Sequence, residues 1–297
     1  MTLDHLKTWA DQPLDPPARL AVIGDPVRHS KSPAMMQPAI DALGHSLQYV
    51  ALQVAEGAVA TCIDLMRQAD FLGTNVTVPH KFAALEACDE LDESARQLGA
   101  VNTILFQDGL TYGFNTDGPG YVRAIREDFQ IDLRDLRVLI LGAGGGAGAA
   151  LARQCALEGC ERIVLANRTL EKAEAVARDC RTLYRSEHLE GPMDRILAIP
   201  LEDLPLREQL EFTDLVIQAT SIGLKPTDPS PLSPSLLSPH LLVSDLIYRD
   251  TKLLRAAHQA GCRIANGQTL LLHQGALAFT HWFGQEPDLR AMRACLT

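Results

Sequence analysis

Four stretches of this sequence carry residues able to do chemistry, and each lies where an apolar run gives way to a polar turn. In the first, VRHSKSPAMMQPAIDAL, Ser30 and Ser32 stand near the entrance of a helical pattern. Their hydroxyls can cap that helix, or join its unpaired N–H groups in receiving a carboxylate. In the second, TNVTVPHK, strand alternation puts Asn75 and Thr77 on one face, where short polar side chains make good ligand anchors. Lys81 follows at the next helical pattern, either as a solvated helix residue or as an amine held in a cleft for acid–base work. The third stretch, GAVNTILF with YGFNTDGPG, brings Asn102 to the opening of one strand-like run and Asn115, Thr116, Asp117 and Gly118 to the end of another. All of these suit turns, but Asp117 also immediately precedes the crossover into a region of different texture.

The fourth stretch, RVLILGAGGGAGAALA, reads as strand, tight turn and helix. Gly142, Gly144 and Ala147 fit G-x-G-x-x-G/A, whose glycines permit the turn and let a diphosphate approach backbone N–H groups at a helix N-terminus. A glycine-rich turn can also serve packing alone; the apolar strand before it and the helix after it favour a dinucleotide. The next strand ends ALANRTLEK, with Asn167 and Arg168 where an NAD-selective site places a carboxylate for the adenine ribose. Arg168 and Lys172 can neutralise an added ribose phosphate, and Thr169 can donate a hydrogen bond, so NADP is favoured over NAD.

The elements that must position these residues follow from periodicity. Strands are expected over 19–23 and 48–54, and helices over 58–69 and 82–88. From about residue 118 strand and helix alternate: strands over 138–141, 162–166, 196–199, 215–218 and 242–246, with a helix over 170–178 and loops over 181–194 and 222–239. That alternation is the signature of a parallel sheet covered by helices, an α/β fold. A helix over 251–260, a short strand over 262–265 and a longer helix over 270–283, carrying Gln274, close the chain; residues 1–17 read as a short helix and a proline-ended lead-in.

With 297 residues, 46% of them hydrophobic, the chain can bury a sizeable core and suits two domains. A net charge of −10, without a long basic run, argues against nucleic acid as a partner. Seven scattered cysteines without a C-x-x-C pair favour reduced thiols over disulfides or zinc, so no metal is expected. No secretory signal pattern or bilayer-length apolar run is present, and a cytoplasmic protein not associated with membranes is expected. Neither charge nor helix count separates monomer from homodimer.

The ordered set GDPVRHSKSP, NVTVPHK, GAVNT, NTDG, GAGG, NRT, ATSIG, DLIY and HQGALAF resembles the shikimate dehydrogenase family from residue 24 to 284. The resemblance implies an N-terminal α/β substrate domain, residues 1–117 and 267–297, completed by returning C-terminal helices, and a Rossmann-like NADP-binding domain, residues 118–266. It implies that Ser30, Ser32 and Tyr248 bind the substrate carboxylate. Asn75, Thr77, Asn102, Asp117 and Gln274 would fix ring hydroxyls or the carbonyl, and Lys81 and Asp117 would form the central catalytic pair. Gly142, Ala143, Gly144, Gly145, Gly146 and Ala147 would hold the diphosphate of NADP(H), with Asn167, Arg168, Thr169, Lys172, Thr220 and Gly267 completing the cofactor site. The implied reaction is the reversible NADPH-dependent reduction of 3-dehydroshikimate to shikimate. Quinate/shikimate dehydrogenases of broader specificity and a regulatory NADP-binding relative are the alternatives; Ser32, where quinate users carry threonine, favours shikimate. Arg249 and Asp250 after DLIY, where proline is common, and the absence of the usual glycine–methionine form before HQG depart from the family pattern.

Overall fold

The computed structural model describes residues 1–7, 14–183 and 195–296. Its elements run, in chain order, α1 (Leu3–Lys7), β1 (Ala18–Gly24), α2 (Ser32–Ala42), β2 (Gln48–Gln53), α3 (Val59–Gln68), β3 (Gly73–Val76), α4 (Lys81–Ala87) and β4 (Glu90–Leu91). Then come α5 (Glu93–Leu98), β5 (Thr103–Gln107), β6 (Leu110–Phe114), α6 (Asp117–Phe129), β7 (Arg137–Leu141), α7 (Gly146–Glu158), β8 (Arg162–Asn167) and α8 (Leu170–Leu183). The remainder is β9 (Ile196–Pro200), α9 (Asp203–Leu210), β10 (Leu215–Gln218), β11 (Leu242–Asp245), α10 (Lys252–Gln259), β12 (Arg263–Ala265), α11 (Gln268–Phe283) and α12 (Leu289–Ala294).

The chain divides into two compact units, residues 1–120 with 271–297 and residues 121–270. The divisions fall inside α6 and α11, three and four residues beyond the positions 117 and 266 expected from the sequence. The expected loop over 181–194 begins later than its pattern suggested, because α8 continues to Leu183. Its apolar row Ala173, Val176, Ala177 and Cys180 is buried and keeps the i, i+3, i+4, i+7 spacing past residue 178. Residues 184–194 lie outside the described set.

In the first unit the sheet order is β2-β1-β3-β5-β6-β4, with β1 parallel to β2 and β3, and β5 antiparallel to β3 and β6. Strand alternation sorts β1 between two cores. Leu20 and Val22 pack with Met35, Met36, Phe279 and Trp282, whereas Ala21 and Ile23 pack with Ile63, Met66, Ala84 and Ala95. Because α2 covers one face and α4 the other, the loops after the adjacent parallel strands β1 and β3 diverge. That divergence opens a crevice at the carboxyl ends of the strands, where ligands of α/β sheets bind. The N-terminal lead adds to the same unit: the Met1 amino group donates to the Ala51 carbonyl, and Leu6 is buried.

The second unit is a parallel sheet in the order β12-β11-β10-β7-β8-β9, a Rossmann-type arrangement. Val138 and Ile140 of β7 face one apolar core and Leu139 and Leu141 the other, as expected for a strand buried on both faces. At the start of the central pair, Arg137 Nη2 and Nε donate to Asp214 Oδ1 and Oδ2 at 2.6 and 2.9 Å, and Arg137 N donates to Oδ2 at 2.8 Å. These bonds hold the Asp214 carboxyl below its ordinary range.

All seven cysteines are free thiols, and burial pushes Cys62 and Cys180 up to about 12, where thiolate chemistry is suppressed. Among the described residues no helix is long and apolar enough to cross a membrane, and no His, Cys, Asp and Glu cluster could hold a metal.

A depressed carboxylate stabilises the fold above its unfolded pKa, and the contribution is lost as pH falls through the folded one. Asp214→Asn is therefore expected to lower stability by roughly 1–2 kcal/mol at neutral pH, an allowance that includes partial solvent screening. Urea unfolding of both proteins across pH checks this: the gap should hold down to about pH 4 and close below it. An equal gap at neutral and strongly acid pH would contradict the assignment.

Candidate active site

The first unit gathers its polar residues at the carboxyl ends of β1 and β3. Lys81 opens α4, and its Nζ donates to Asp117 Oδ2 at 2.5 Å. The two side chains keep 22% and 24% of their surface exposed, so a ligand can reach a pair that is otherwise enclosed. His80, just before Lys81, is buried and places its Nε2 2.7 Å from the Val54 carbonyl, which ties the start of α4 to the end of β2. Asp117 is fixed from its own side: Asn115 Oδ1 accepts from the backbone N–H of Asp117 at 3.0 Å.

Behind this pair lies a buried polar network. Asn75 Nδ2 donates to the Asn102 carbonyl at 3.3 Å and to Thr103 Oγ1 at 3.0 Å, while its Oδ1 accepts from the Tyr49 phenol at 2.7 Å. Asn102 Oδ1 accepts from Thr103 Oγ1 at 3.1 Å and from Thr116 N at 2.7 Å, and Asn102 Nδ2 donates to Thr116 Oγ1 at 2.9 Å. Asn75, Asn102, Thr103 and Thr116 are all buried. Asn75 and Asn102 thus have both ends of their amides engaged by protein, and they act on the pair by holding the backbone before Asp117. Thr103 and Tyr49 were not candidates from the sequence. The repeated Asn-Thr at 102–103 and 115–116 is a signal that could have found the first.

Ser30, Ser32, Thr77 and Gln274 belong to the same unit. Ser30 Oγ accepts from the backbone N–H of Ser32, the first residue of α2, at 3.2 Å, while the N-cap position itself is Lys31, without a side-chain cap. Thr77 follows β3, with its N–H on the Ile23 carbonyl at 2.9 Å; a Cβ at Gly24 would stand 2.4 Å from its methyl, so glycine there makes room for it. Gln274 is buried on α11 and donates through Nε2 to the Leu271 carbonyl at 2.8 Å.

The second unit forms a cradle at the carboxyl ends of β7, β8 and β10. Gly142 has φ +86°, the left-handed region, and a Cβ there would meet Thr220 N at 2.9 Å. Ala143 is buried, Gly145 is the N-cap of α7 without a side-chain cap, and Gly146 and Ala147 form the first turn. A Cβ at Gly145 or Gly146 would meet nothing within 4 Å, so no neighbour crowds the start of α7 there. A helix start with uncapped donors and open access fits a diphosphate. Asn167 Nδ2 donates to the Thr169 carbonyl at 2.8 Å, and Arg168, Thr169 and Lys172 are exposed. Neither cation has an ion-pair partner among the described residues, which leaves both for an anion.

Tyr248 and Gly267 also belong to this unit. Tyr248 is 40% exposed, and its carbonyl accepts from Gln268 Nε2 at 3.2 Å. Gly267 is accounted for by packing: a Cβ would fall 2.1 Å from the Leu246 carbonyl, and its N–H donates to Ile247 O at 3.1 Å. Arg249, one of the departures from the family pattern, donates to the Gly223 carbonyl, while Asp228 Oδ2 accepts from Gly223 N at 3.0 Å.

Comparison with known proteins places these features. Residues 22–104 match the family model for the shikimate dehydrogenase substrate binding domain, residues 124–224 that for shikimate / quinate 5-dehydrogenase, and residues 269–295 that for the shikimate 5'-dehydrogenase C-terminal domain. The chain is 42% identical to a Geobacillus kaustophilus shikimate dehydrogenase (NADP(+)), over 92% of this chain and 95% of that protein. It is 40% identical to the Methanopyrus kandleri shikimate dehydrogenase (NADP(+)), over 92% and 93%. The crystal structure of the Thermus thermophilus shikimate 5-dehydrogenase in complex with NADP(H) and shikimate superposes with a TM-score of 0.81 at 36% identity, covering 94% of this chain and 98% of that one. With 40% identity or more to the first two of these relatives over 92% of its length, this chain belongs to the shikimate dehydrogenase family.

Proposed function

We propose that the protein catalyses the reversible NADPH-dependent reduction of 3-dehydroshikimate to shikimate. The observation that carries this reading is the Lys81–Asp117 pair, at 2.5 Å and partly open, beside a buried network that holds the backbone before Asp117. A protein that only bound the nucleotide would need no such amine and acid. The residue assignments extend from it: Ser30, Ser32 and Tyr248 for the carboxylate, and Thr77, Gln274 and Asp117 for ring oxygens. Asn75 and Asn102 support the site from behind.

When bound, the nicotinamide cofactor supplies the hydride that adds to the ring carbonyl carbon. Lys81 stabilises the charge developing on the carbonyl oxygen and gives that oxygen its proton from Nζ; in the oxidative direction the same nitrogen takes the alcohol proton. Asp117 orients the ammonium throughout and accepts from a ring hydroxyl. In the nucleotide unit, the uncapped start of α7 receives the diphosphate, and Arg168 with Lys172 receives the ribose phosphate. The free thiols suit a reducing, cytoplasmic setting.

Turnover of the purified protein with shikimate and quinate, each with NADP+ and NAD+, tests the reading. Shikimate with NADP+ should give the highest kcat/KM; preference for quinate would move the assignment to the broader family alternative, and no turnover of either acid would overturn it. Lys81→Ala should lower kcat by about 10²–10⁴-fold with KM for shikimate little changed. A variant with parental kcat would remove Lys81 from the chemistry.

Replacing Arg168 and Lys172 together by alanine should raise KM for NADP+ roughly tenfold or more while leaving KM for NAD+ near the parent's value, since charge-assisted bonds to a phosphate are lost. Equal changes for the two cofactors would place the 2′-phosphate elsewhere.

A further inference from the structure

Tyr49 lies on β2, one strand away from β3 in the sheet order, and carries none of the roles assigned above. Its ring is 4% exposed and packs against Trp282 at 6.1 Å between centroids; its backbone N–H donates to Gln37 Oε1 at 2.8 Å. Trp282 is itself pinned, with Nε1 donating to the Ile104 carbonyl at 2.9 Å. The phenol is therefore held on several sides, and it donates to Asn75 Oδ1 at 2.7 Å. Burial keeps the phenol protonated far above neutral pH.

The donors and acceptors then run in one consistent order. Tyr49 donates to Asn75 Oδ1, and Asn75 Nδ2 donates to Asn102 O and Thr103 Oγ1. Thr103 donates to Asn102 Oδ1, which also receives the backbone N–H of Thr116, the residue before Asp117. An amide has chemically distinct ends: the Asn102 carbonyl and the Thr103 oxygen, whose proton goes to Asn102 Oδ1, call for Nδ2, and the Tyr49 hydroxyl supplies the donor that Oδ1 needs. Thr103 and Asn102 offer acceptors to the other end, but neither reaches Oδ1.

The geometry points to Tyr49 as a positioning residue for the acid–base pair. Its hydroxyl satisfies Asn75 Oδ1 and holds the amide against Asn102 and Thr103, and through Asn102 and Thr116 the bonds reach the backbone that carries Asp117. Residues of β2 and those at the start of α6 thereby share one chain of hydrogen bonds. This inference deepens the proposed reading, since Lys81 and Asp117 are the pair that the network serves.

Tyr49→Phe removes the hydroxyl and keeps the ring. The expected result is about a tenfold fall in kcat/KM for shikimate, a displaced pH–rate profile, and an unchanged KM for NADP+. The loss should be less than additive with Asn75→Ala, because both changes break the same chain. A merely structural role would reduce active protein without moving the pH profile or either KM, and that outcome, like parental kinetics, would overturn the inference. Thr103→Val breaks the next link at nearly constant shape and should reproduce the same split if Tyr49→Phe does not fold; parental behaviour there overturns it equally. A crystal structure of Tyr49→Phe reads the point without turnover, so failure of the proposed reaction in the parent is separable. An Asn75 amide moved off Asn102 is expected, and an unmoved pair overturns the inference.

Discussion

Burial of polar groups is the constraint on which the substrate domain depends. Asn75, Asn102, Thr103 and Thr116 lie between two apolar layers, where a polar atom without a partner is costly. Each must therefore be answered by another, and the answers link β3, β5 and the loop after β6 into one arrangement. Lys81 and Asp117 stand at its open edge. An ion pair at a solvent-facing edge contributes little by itself, because water competes and long side chains lose freedom. Held against a satisfied network it becomes a defined geometry, which is what proton transfer requires.

Both units solve the problem of access in the same way. Parallel strands point their carboxyl ends at one side of the sheet, and where neighbouring strands send their helices to opposite faces, the loops part. In the first unit β1 and β3 do this, which brings the loop carrying Ser30 and that carrying Thr77 to one crevice. In the second, β7 leads into α7 and the neighbouring β10 into a loop, and the glycine turn faces Thr220 there. Neither crevice needs polar residues in the middle of the sheet, so the cores stay apolar and the chemistry stays at the rim.

The Rossmann-type strands were legible because each is a short aliphatic run buried on both faces, and no other structure hides Val138 to Leu141 so fully. The first unit was legible in part. Its parallel strands showed the same pattern, but α5 has only Ala95 and Leu98 buried, too few for periodicity, and is defined instead by Asp92 capping Ala95 N and by left-handed Gly99. The polar clusters around Asn75, Asn102 and Asp117 were visible as clusters, yet their internal bonding was not. Tyr49 and Asn75 are 26 positions apart, and the bond between them is set by the register of β2, β1 and β3 rather than by any local signal.

The glycine turn illustrates how one motif records two separate demands. Gly144 answers to the protein: a Cβ would stand 2.4 Å from Asn167 Nδ2 and 2.7 Å from Lys172 Cβ, so the close approach of β8 and α8 forbids a side chain. Gly148 answers likewise to Gly142, whose carbonyl would lie 2.3 Å from the added carbon. Gly145 and Gly146 meet no neighbour within 4 Å, and nothing in the chain itself excludes a side chain there. What a side chain would obstruct at those positions is the approach of a ligand to the uncapped N–H groups of α7. The two open glycines, rather than the packed ones, are thus the part of the motif that speaks for an anion, and they do so beside an arginine and a lysine without ion-pair partners among the described residues.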